Sequence, residues 1–376
     1  MSPLVHAALV LSLAIGFVPF QSVEGDCSAC AGSGRSDCAE HASVDLAREE
    51  NALLCTFYAG CERCAGTGSV ECKTCSAPAA QSDAAVEPLR KLAAARLAEY
   101  EKALGRPLLA AASTHFNLVL ELEPMKVRGK KRSRHELLHL YLDRLEEVHR
   151  AYLELFALAD KDITARSEIL LWATSADHTK AGQEFCGYTT SDVELKRGRE
   201  AIASLWFDPQ KLRDDEALHR NVVHQAVHGI MNVQPPTAYT GILRMGWADE
   251  GLSLWFEDRL LGAVTGFCFW LEEQPSGLRA GNWRPELRKL LDPGKPLDLE
   301  RLLELDTIQM TRAEQAIGFA LVDHFIARDP ALFDRLLARM RASTPSRDAI
   351  KEVYGQTLPE LDASLREWVA STYPKR

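Results

Sequence analysis

A cluster of cysteines near the N-terminus constrains the fold of this chain more than any other feature of its sequence. Of the ten cysteines, eight lie between Cys27 and Cys75. Seven of them, with one histidine, form two copies of the spacing Cys-x2-Cys-x7-Cys-x2-Cys/His, namely Cys27, Cys30, Cys38 and His41, then Cys61, Cys64, Cys72 and Cys75. In both copies x-Gly-x-Gly follows the second cysteine, which lets the backbone turn tightly beneath two thiolates. The spacing predicts a module that is cross-linked by metal or by disulfides.

Zinc accounts for this pattern, because a Cys-x-x-Cys pair places two thiolates on one tetrahedral ion. Two such pairs can fold a segment that is too small for a hydrophobic core of its own. A disulfide framework is the alternative, since an exported chain meets an oxidising compartment. Cys55 is an alternative to His41 as the fourth ligand of the first site. Cys186 and Cys268 lie outside the cluster and are candidates to pair with each other.

The sequences CSACAGSG and CERCAGTG resemble the cysteine-rich zinc domain of DnaJ-type co-chaperones. The likeness covers about residues 27–75 only, without a J-domain or the flanking substrate-binding sheets, so a co-chaperone role does not follow from it. It implies that residues 26–76 form a zinc-ribbon module.

The first 25 residues resemble a secretory signal peptide. The apolar stretch from Leu4 to Phe20 is too short and too interrupted to span a bilayer comfortably. Val23 and Gly25 then fit the residue positions before a cleavage site, although no Lys or Arg precedes the stretch. We therefore expect a secreted or periplasmic protein, and an uncleaved membrane anchor is the alternative.

The overall composition is that of a globular protein, with 46% hydrophobic and 26% charged residues, which excludes wholesale disorder. The length suggests about two or three domains. The net charge of −9 does not favour nucleic acid or an anionic membrane as the main partner. The one strong basic run, from Lys126 to Arg134, is predicted to be an exposed loop.

The chain after the cysteine cluster is predicted to have an α+β fold. A linker over 77–85 and a helix over 86–104 come first. Strands are predicted over 115–122, 167–173 and 201–207, and helices over 134–158, 214–232, 247–261 and most of 285–372. We divide this part into a linker and helix at 77–112, a core with a small sheet and an active-site helix at 113–262, and a helical C-terminal part at 263–376.

Two histidines four residues apart mark a second candidate metal site. In His224-Gln-Ala-Val-His228 the two imidazoles lie one above the other on a helix face. Glu250 follows 22 residues later, on the next predicted helix. Two histidines from one helix and a glutamate from the next suit a zinc peptidase, in which the fourth position is open for water.

This arrangement resembles that of the gluzincins, in particular bacterial peptidase MA-like proteins, whose His-Glu-x-x-His is followed by Trp-x-x-Glu-Gly-Leu. The second motif is Trp247-Ala-Asp-Glu250-Gly-Leu in this chain. The likeness extends from about residue 115 to the C-terminus and implies that His224, His228 and Glu250 are zinc ligands. The family's catalytic glutamate is replaced by Gln225. An amide can orient a water but cannot accept its proton, which implies impaired or absent hydrolysis.

A rival motif, His135-Glu136-Leu-Leu-His139, matches His-Glu-x-x-His in full. No Trp-x-x-Glu-Gly segment follows it, and the nearest carboxylates lie on the same helix, which favours a chance match. If this motif is the catalytic one, its third ligand is His149 or Glu168 and the chain is an active protease.

From the sequence alone we therefore expect an exported zinc-binding protein with a gluzincin-like domain, a pseudo-peptidase that binds a peptide or protein in its cleft. Two alternatives stay open. One is an active secreted zinc metallopeptidase, and the other is a non-enzymatic zinc-ribbon scaffold in which neither histidine pair binds metal. The sequence contains no Gly-x-Ser-x-Gly elbow, phosphate loop or dinucleotide fingerprint.

Overall fold

The computed structural model describes residues 35–37, 54–56, 69–74, 76–163, 165–187, 189, 194–197, 201–208, 210, 212, 214–264, 278, 281–292, 294 and 297–375. The predicted signal peptide, residues 1–25, lies outside the described residues, as does Cys268. So do seven predicted ligands of the zinc-ribbon module: Cys27, Cys30, Cys38, His41, Cys61, Cys64 and Cys75. No helix in the described part of the chain combines the length and the apolar character that a membrane crossing requires.

The strands of this described part form three sheets. Their bounds are β1 Arg35–Asp37, β2 Leu54–Thr56, β3 Ser69–Glu71, β4 Ala110–Ala112, β5 Phe116–Glu121, β6 Met125–Val127, β7 Lys130–Arg132, β8 Ser167–Trp172, β9 Glu194–Arg197 and β10 Ile202–Trp206. The main sheet has six strands in the order β2-β4-β5-β8-β10-β9. In its centre, β8 lies between β5 and β10 and pairs parallel with both of them. The outer pairs of strands are antiparallel.

The helices of the described residues have these bounds: α1 Ser76–Leu104, α2 Arg134–Phe156, α3 Ser175–Ala181, α4 Asp215–Val233, α5 Gly246–Leu261, α6 Arg284–Leu290, α7 Leu299–Leu302, α8 Arg312–Arg328, α9 Pro330–Arg341, α10 Ser346–Tyr354 and α11 Leu358–Thr372. The last six of them make up a helical C-terminal part.

Helices cover both faces of the main sheet, which explains why its central strand is apolar on both sides. Every residue of β8 is buried, and its side chains alternate between two cores. Ile169 and Leu171 belong to the larger core with α2 and α4, whereas Leu170 and Trp172 pack with α1 in the smaller one. The sheet and the helical C-terminal part together confirm the α+β fold class.

The predicted strands at 115–122, 167–173 and 201–207 correspond to β5, β8 and β10. Two other predictions are wrong. The segment 77–85 is not a linker but the start of α1, because its alanines favour a helix and its one proline lies in the first turn, where the missing N–H is tolerated. The basic run is not a loop but the hairpin β6–β7, whose turn residues Arg128 and Gly129 have positive φ angles of 47° and 82°.

The strands β1 and β3 occupy equivalent places in the two copies of the cysteine pattern. Each strand directly follows the glycines of one copy, and the two strands pair antiparallel with Ser36 opposite Val70. These two residues are 34 positions apart, like Cys27 and Cys61, so they occupy the same place in the two copies. The antiparallel pairing therefore relates the two strands by a local twofold axis.

Three cysteines fall within the described residues. Cys72 and Cys186 are buried. Cys55 lies in β2, whose backbone pairs with β4 at the edge of the main sheet. The choice between zinc and disulfides depends mostly on side chains outside the described residues, and it stays a prediction.

The helix that carries Glu250 packs unusually closely on α8. A Cβ atom on Gly251 would lie 2.5 Å from the carbonyl oxygen of Gly318, and a Cβ atom on Gly318 would lie 2.6 Å from that of Trp247. Neither position accepts a larger side chain without a shift of the backbone. Gly251 therefore fixes the rotation of α5 about its axis, and with it the direction in which the neighbouring Glu250 points.

Candidate metal centre

The two motif histidines lie on a helix that is buried over most of its length. Helix α4 begins after Asp214, whose side chain accepts a hydrogen bond from the Ala217 N–H. Every residue from 221 to 233 is buried, because α4 packs against the sheet, α2 and α5. His224 and His228 are each 2% exposed, and their spacing places both imidazoles on the same side of the helix.

The imidazoles of His224 and His228 converge with the carboxylate of Glu250 in the interior. The Nε2 atoms of the two histidines are 3.0 Å apart. Glu250 Oε2 lies 3.5 Å from His224 Nε2, and Glu250 Oε1 lies 3.5 Å from His228 Nε2. Glu250 is fully buried. The structure thus brings the three predicted ligands to one point, where they can hold a metal ion.

The other ring nitrogen of each histidine faces a carboxylate of α5. His224 Nδ1 is 2.7 Å from Glu257 Oε1, and His228 Nδ1 is 2.9 Å from Asp249 Oδ1. A carboxylate at this distance favours the tautomer with its proton on Nδ1, which leaves the Nε2 lone pair free to bind a metal. Both rings are therefore oriented as metal ligands usually are.

Asp249 is itself fixed by threonines from two 3₁₀ turns, Thr240–Ile242 and Thr307–Gln309. The Oγ1 atoms of Thr240 and Thr307 lie 2.5 Å and 2.7 Å from the Asp249 carboxylate oxygens. Asn232 Oδ1 accepts a hydrogen bond of 2.9 Å from the Thr240 N–H. Because all of these side chains are buried, the network holds the loop after α4 and the segment before α8 in place around His228.

The chemistry of these groups fits a divalent metal ion. Two imidazole nitrogens and a carboxylate oxygen are a donor set that zinc accepts. The carboxylates of Asp249, Glu250 and Glu257 are all buried around the two imidazoles. Negative charge is costly to bury without compensation, and a divalent cation at the convergence point would offset it.

Gln225 lies between the two histidines on α4 and is 2% exposed. Its side chain ends in an amide, which is neutral and has no basic oxygen comparable to a carboxylate. The position that the gluzincin resemblance assigns to the general base is therefore occupied by a buried group that cannot accept a proton near neutral pH.

The rival motif has a different environment. Glu136 lies in the first turn of α2, where its side chain accepts hydrogen bonds from the Ser133 N–H and from Arg132. Burial raises the pKa of Glu136, but these hydrogen bonds outweigh it and leave the pKa below its usual value. His135 and His139 are buried. Among the described residues no third potential ligand lies close enough to form a metal cluster with them, so Glu136 is placed to cap a helix.

The two third ligands considered for the rival motif make other contacts. Glu168, on β8, forms an ion pair with Arg96 of α1, with 2.8 Å between Oε1 and Nε. The ring of His149 stacks on that of His115. Neither residue joins His135 in a potential metal cluster of the described residues.

Asp249 and Glu257 are not among the ligands predicted from the sequence, yet both complete the site. Glu257 had a detectable signal, because it lies seven residues after Glu250, two helical turns along the same face of α5. Asp249 directly precedes Glu250, so it points about 100° around the helix from it. Its contact with His228 depends on how α5 crosses α4, which no local pattern gives.

The carboxylates behind the histidines lead to a first prediction. We expect Glu257→Gln to weaken metal binding at this centre by about 10–100-fold, because an amide can donate to Nδ1 and shift the ring proton to Nε2. The measurement is a zinc titration of the full-length protein against a chromophoric chelator. Glu154→Gln, on the exposed side of α2, is the control. Equal zinc affinity in Glu257→Gln and the control would contradict this role.

No protein-family model matches the chain, and a search of the curated proteins finds none with a significantly similar sequence. The resemblances to gluzincins and to the DnaJ-type zinc domain therefore depend on the motifs described above.

Proposed function

We propose that the chain is an exported zinc-binding protein with a gluzincin-like metallopeptidase domain whose hydrolysis is impaired. The observation that carries this proposal is the convergence of His224, His228 and Glu250, with Nδ1 of each histidine held by a carboxylate. Zinc is proposed as the metal because two histidines and one glutamate are a frequent ligand set of catalytic zinc. A peptide or a protein segment is proposed as the ligand because the motifs resemble those of peptidases.

Gln225 is the reason for proposing a pseudo-peptidase. Zinc bound to such a centre supplies a Lewis acid that lowers the pKa of a coordinated water. Hydrolysis also needs a group that accepts the proton of that water and passes it to the leaving amine. Gln225 can position a water through hydrogen bonds but cannot deprotonate it. The nearby carboxylates of Asp249 and Glu257 face the Nδ1 atoms of the two histidines, so they orient the rings rather than act as a base.

An active peptidase built on the rival motif is the weaker candidate. Its glutamate, Glu136, is engaged by Ser133 and Arg132 at the start of α2. A scaffold without a metal centre is weaker too, because it gives no reason for burying three carboxylates around His224 and His228.

The zinc ribbon and the signal peptide belong to the same proposal. We infer that residues 1–25 direct export and that residues 26–76 bind two zinc ions. The twofold pairing of β1 with β3 supports a joint role for the two copies of the cysteine pattern.

Zinc content tests the proposal directly. We expect the zinc of the purified mature protein to include two ions in the ribbon and one at the His224 centre. His224→Ala removes one ligand of the centre and should lower the content by one zinc per chain. The measurement is elemental analysis after exhaustive dialysis, with circular dichroism to verify that the variant is folded.

The matched control is His135→Ala, because His135 is a buried histidine at the equivalent position of the rival motif. It should keep the zinc content of the parent. Loss of zinc in His135→Ala but not in His224→Ala would move the active site to the rival motif. Unchanged zinc in both variants would leave the protein without a peptidase-like metal centre.

A further inference from the structure

A second group of potential metal ligands lies where the chain enters the parallel part of the main sheet. His115 directly precedes β5, and Glu146 and His149 are three residues apart on one face of α2. One ligand atom of each of these residues lies within 4.8 Å of the ligand atoms of the other two. Asp160, from the 3₁₀ turn Asp160–Asp162 after α2, joins them as a half-exposed carboxylate.

Both ring nitrogens of His115 face carboxylates. Nδ1 lies 2.7 Å from Glu146 Oε2, and Nε2 lies 2.8 Å from Asp160 Oδ1. The other oxygen of Glu146 accepts a hydrogen bond of 3.1 Å from the His115 N–H. These bonds connect one imidazole and two carboxylates from three separate elements, with the two carboxylates on opposite sides of the ring.

His149 supplies the observation that points to a ligand. It is 2% exposed, and its Nε2 atom is buried without a hydrogen-bond partner among the described residues. Its ring lies nearly parallel to that of His115, at 12°, with 3.5 Å between the ring centres. A buried polar atom with no partner is costly, and a neutral imidazole nitrogen is a good metal donor.

We propose that His115, Glu146 and His149 form a second binding site for a divalent transition-metal ion such as Zn²⁺ or Co²⁺. The mixture of imidazole nitrogens and carboxylate oxygens selects these ions over Mg²⁺ and Ca²⁺, which prefer oxygen alone.

Binding at this site requires one local rearrangement. The two rings are stacked, so their in-plane lone pairs run side by side instead of meeting at one point. His115 can coordinate the same ion as His149 once its ring rotates out of the stack. Glu146 and His149 keep their places on α2. The cation then takes the place of the hydrogen bond between His115 Nδ1 and Glu146.

The site is separate from the His224 centre, and the proposal does not depend on the proposed function. Its three ligands come from the residue before β5 and from α2, whereas those of the other centre come from α4 and α5. It also contains no cysteine, so Co²⁺ bound there gives no thiolate charge-transfer band, unlike Co²⁺ bound to a cysteine ribbon.

Metal counting on four variants of the full chain and one control variant tests this proposal. Protein stripped with a chelator is reloaded with Zn²⁺ and analysed for bound zinc, and affinity is measured by competition with a chromophoric chelator. Glu146→Gln and His149→Gln should each bind one zinc fewer than the parent, or bind that zinc at least about tenfold more weakly. His224→Ala should lose a different zinc, so that Glu146→Gln combined with His224→Ala loses two.

His178→Gln is the matched control. His178 is also buried and also has an Nε2 atom without a partner among the described residues, but it belongs to no metal cluster found among them. It should keep all of the zinc. If His149→Gln fails to fold, the isosteric Glu146→Gln decides the question. A zinc content and affinity equal to those of the parent in folded Glu146→Gln would overturn the proposal and leave a stacked, ion-paired histidine cluster. If Glu146→Gln loses one zinc and His224→Ala loses none, the second metal site is upheld and the proposed peptidase-like centre is refuted.

Discussion

Gln225→Glu should convert the protein into a zinc-dependent peptidase, with a hydrolysis rate about 10²–10⁴-fold above that of the parent. The substitution restores a carboxylate at the position of the missing general base without changing the length of the side chain. The measurement is cleavage of a fluorogenic peptide library by parent and variant at equal zinc loading.

The double variant with Gln225→Glu and His224→Ala is the control for this gain. It keeps the new carboxylate but lacks a zinc ligand, so it should be as inactive as the parent. A parent that already cleaves peptides rapidly in a zinc-dependent manner would contradict the pseudo-peptidase proposal. A folded Gln225→Glu variant with a loaded centre and no activity would show that the peptidase resemblance does not extend to the substrate cleft.

A fourth carboxylate should also make folding depend on the metal. The centre already buries three carboxylates, and Gln225→Glu adds a further charge at a position that is 2% exposed. Without a cation, that charge is either buried at a cost or neutralised by a proton. The difference in Tm between zinc-loaded and stripped protein should therefore be larger for the variant than for the parent.

The ligands of the candidate metal centre could be predicted from the sequence, but the network of groups that supports them could not. The spacing of His224 and His228 places both rings on one helix face, and the next helix supplies Glu250. The threonines that fix Asp249 come from turns on either side of α5 in the sequence, and their meeting depends on the packing of three segments. Contacts between residues that are far apart in the sequence leave no periodic pattern in it.

The same limit explains which parts of the fold could be predicted. The amphipathic pattern of α2 and the apolar run of β8 are local sequence features that predict a helix and a strand. The strand Ala110–Ala112 does not, because three alanines favour a helix by propensity. It forms a strand because β2 and β5 pair with it on its two edges. The His115 cluster was hidden for a similar reason, since only Glu146 and His149 share an element.

The protein should lose much of its stability between pH 7 and pH 5. Burial lowers the pKa of His178 to about 4. Burial and the charge of Arg144 lower that of His219 to about 3. An unfolded histidine has a pKa of about 6.5, so below that pH the unfolded chain binds protons that the folded chain excludes. The free energy of unfolding therefore falls as the pH falls from about 6.5 towards the folded pKa values.

Each of these two histidines should contribute a loss of about 2 kcal/mol at pH 5, since one pKa unit corresponds to about 1.4 kcal/mol. The sum of about 4 kcal/mol is a large part of the roughly 5–15 kcal/mol that stabilises a typical domain. His324, whose pKa is also lowered to about 4 by burial and by Arg328, acts in the same direction. Urea unfolding at a series of pH values gives the change directly.

His178→Asn separates this effect from general acid sensitivity. The Nδ1 atom of His178 lies 2.9 Å from Ser204 Oγ, and an asparagine amide can keep that hydrogen bond without a titrating ring. The variant is expected to be less stable than the parent at pH 7, because a smaller side chain leaves a gap at a site that is 1% exposed. Its further loss between pH 7 and pH 5 should nevertheless be smaller than that of the parent by about 2 kcal/mol. An equal loss in both proteins would mean that His178 does not control the acid response, because a neutral buried imidazole is the only titrating group that the substitution removes.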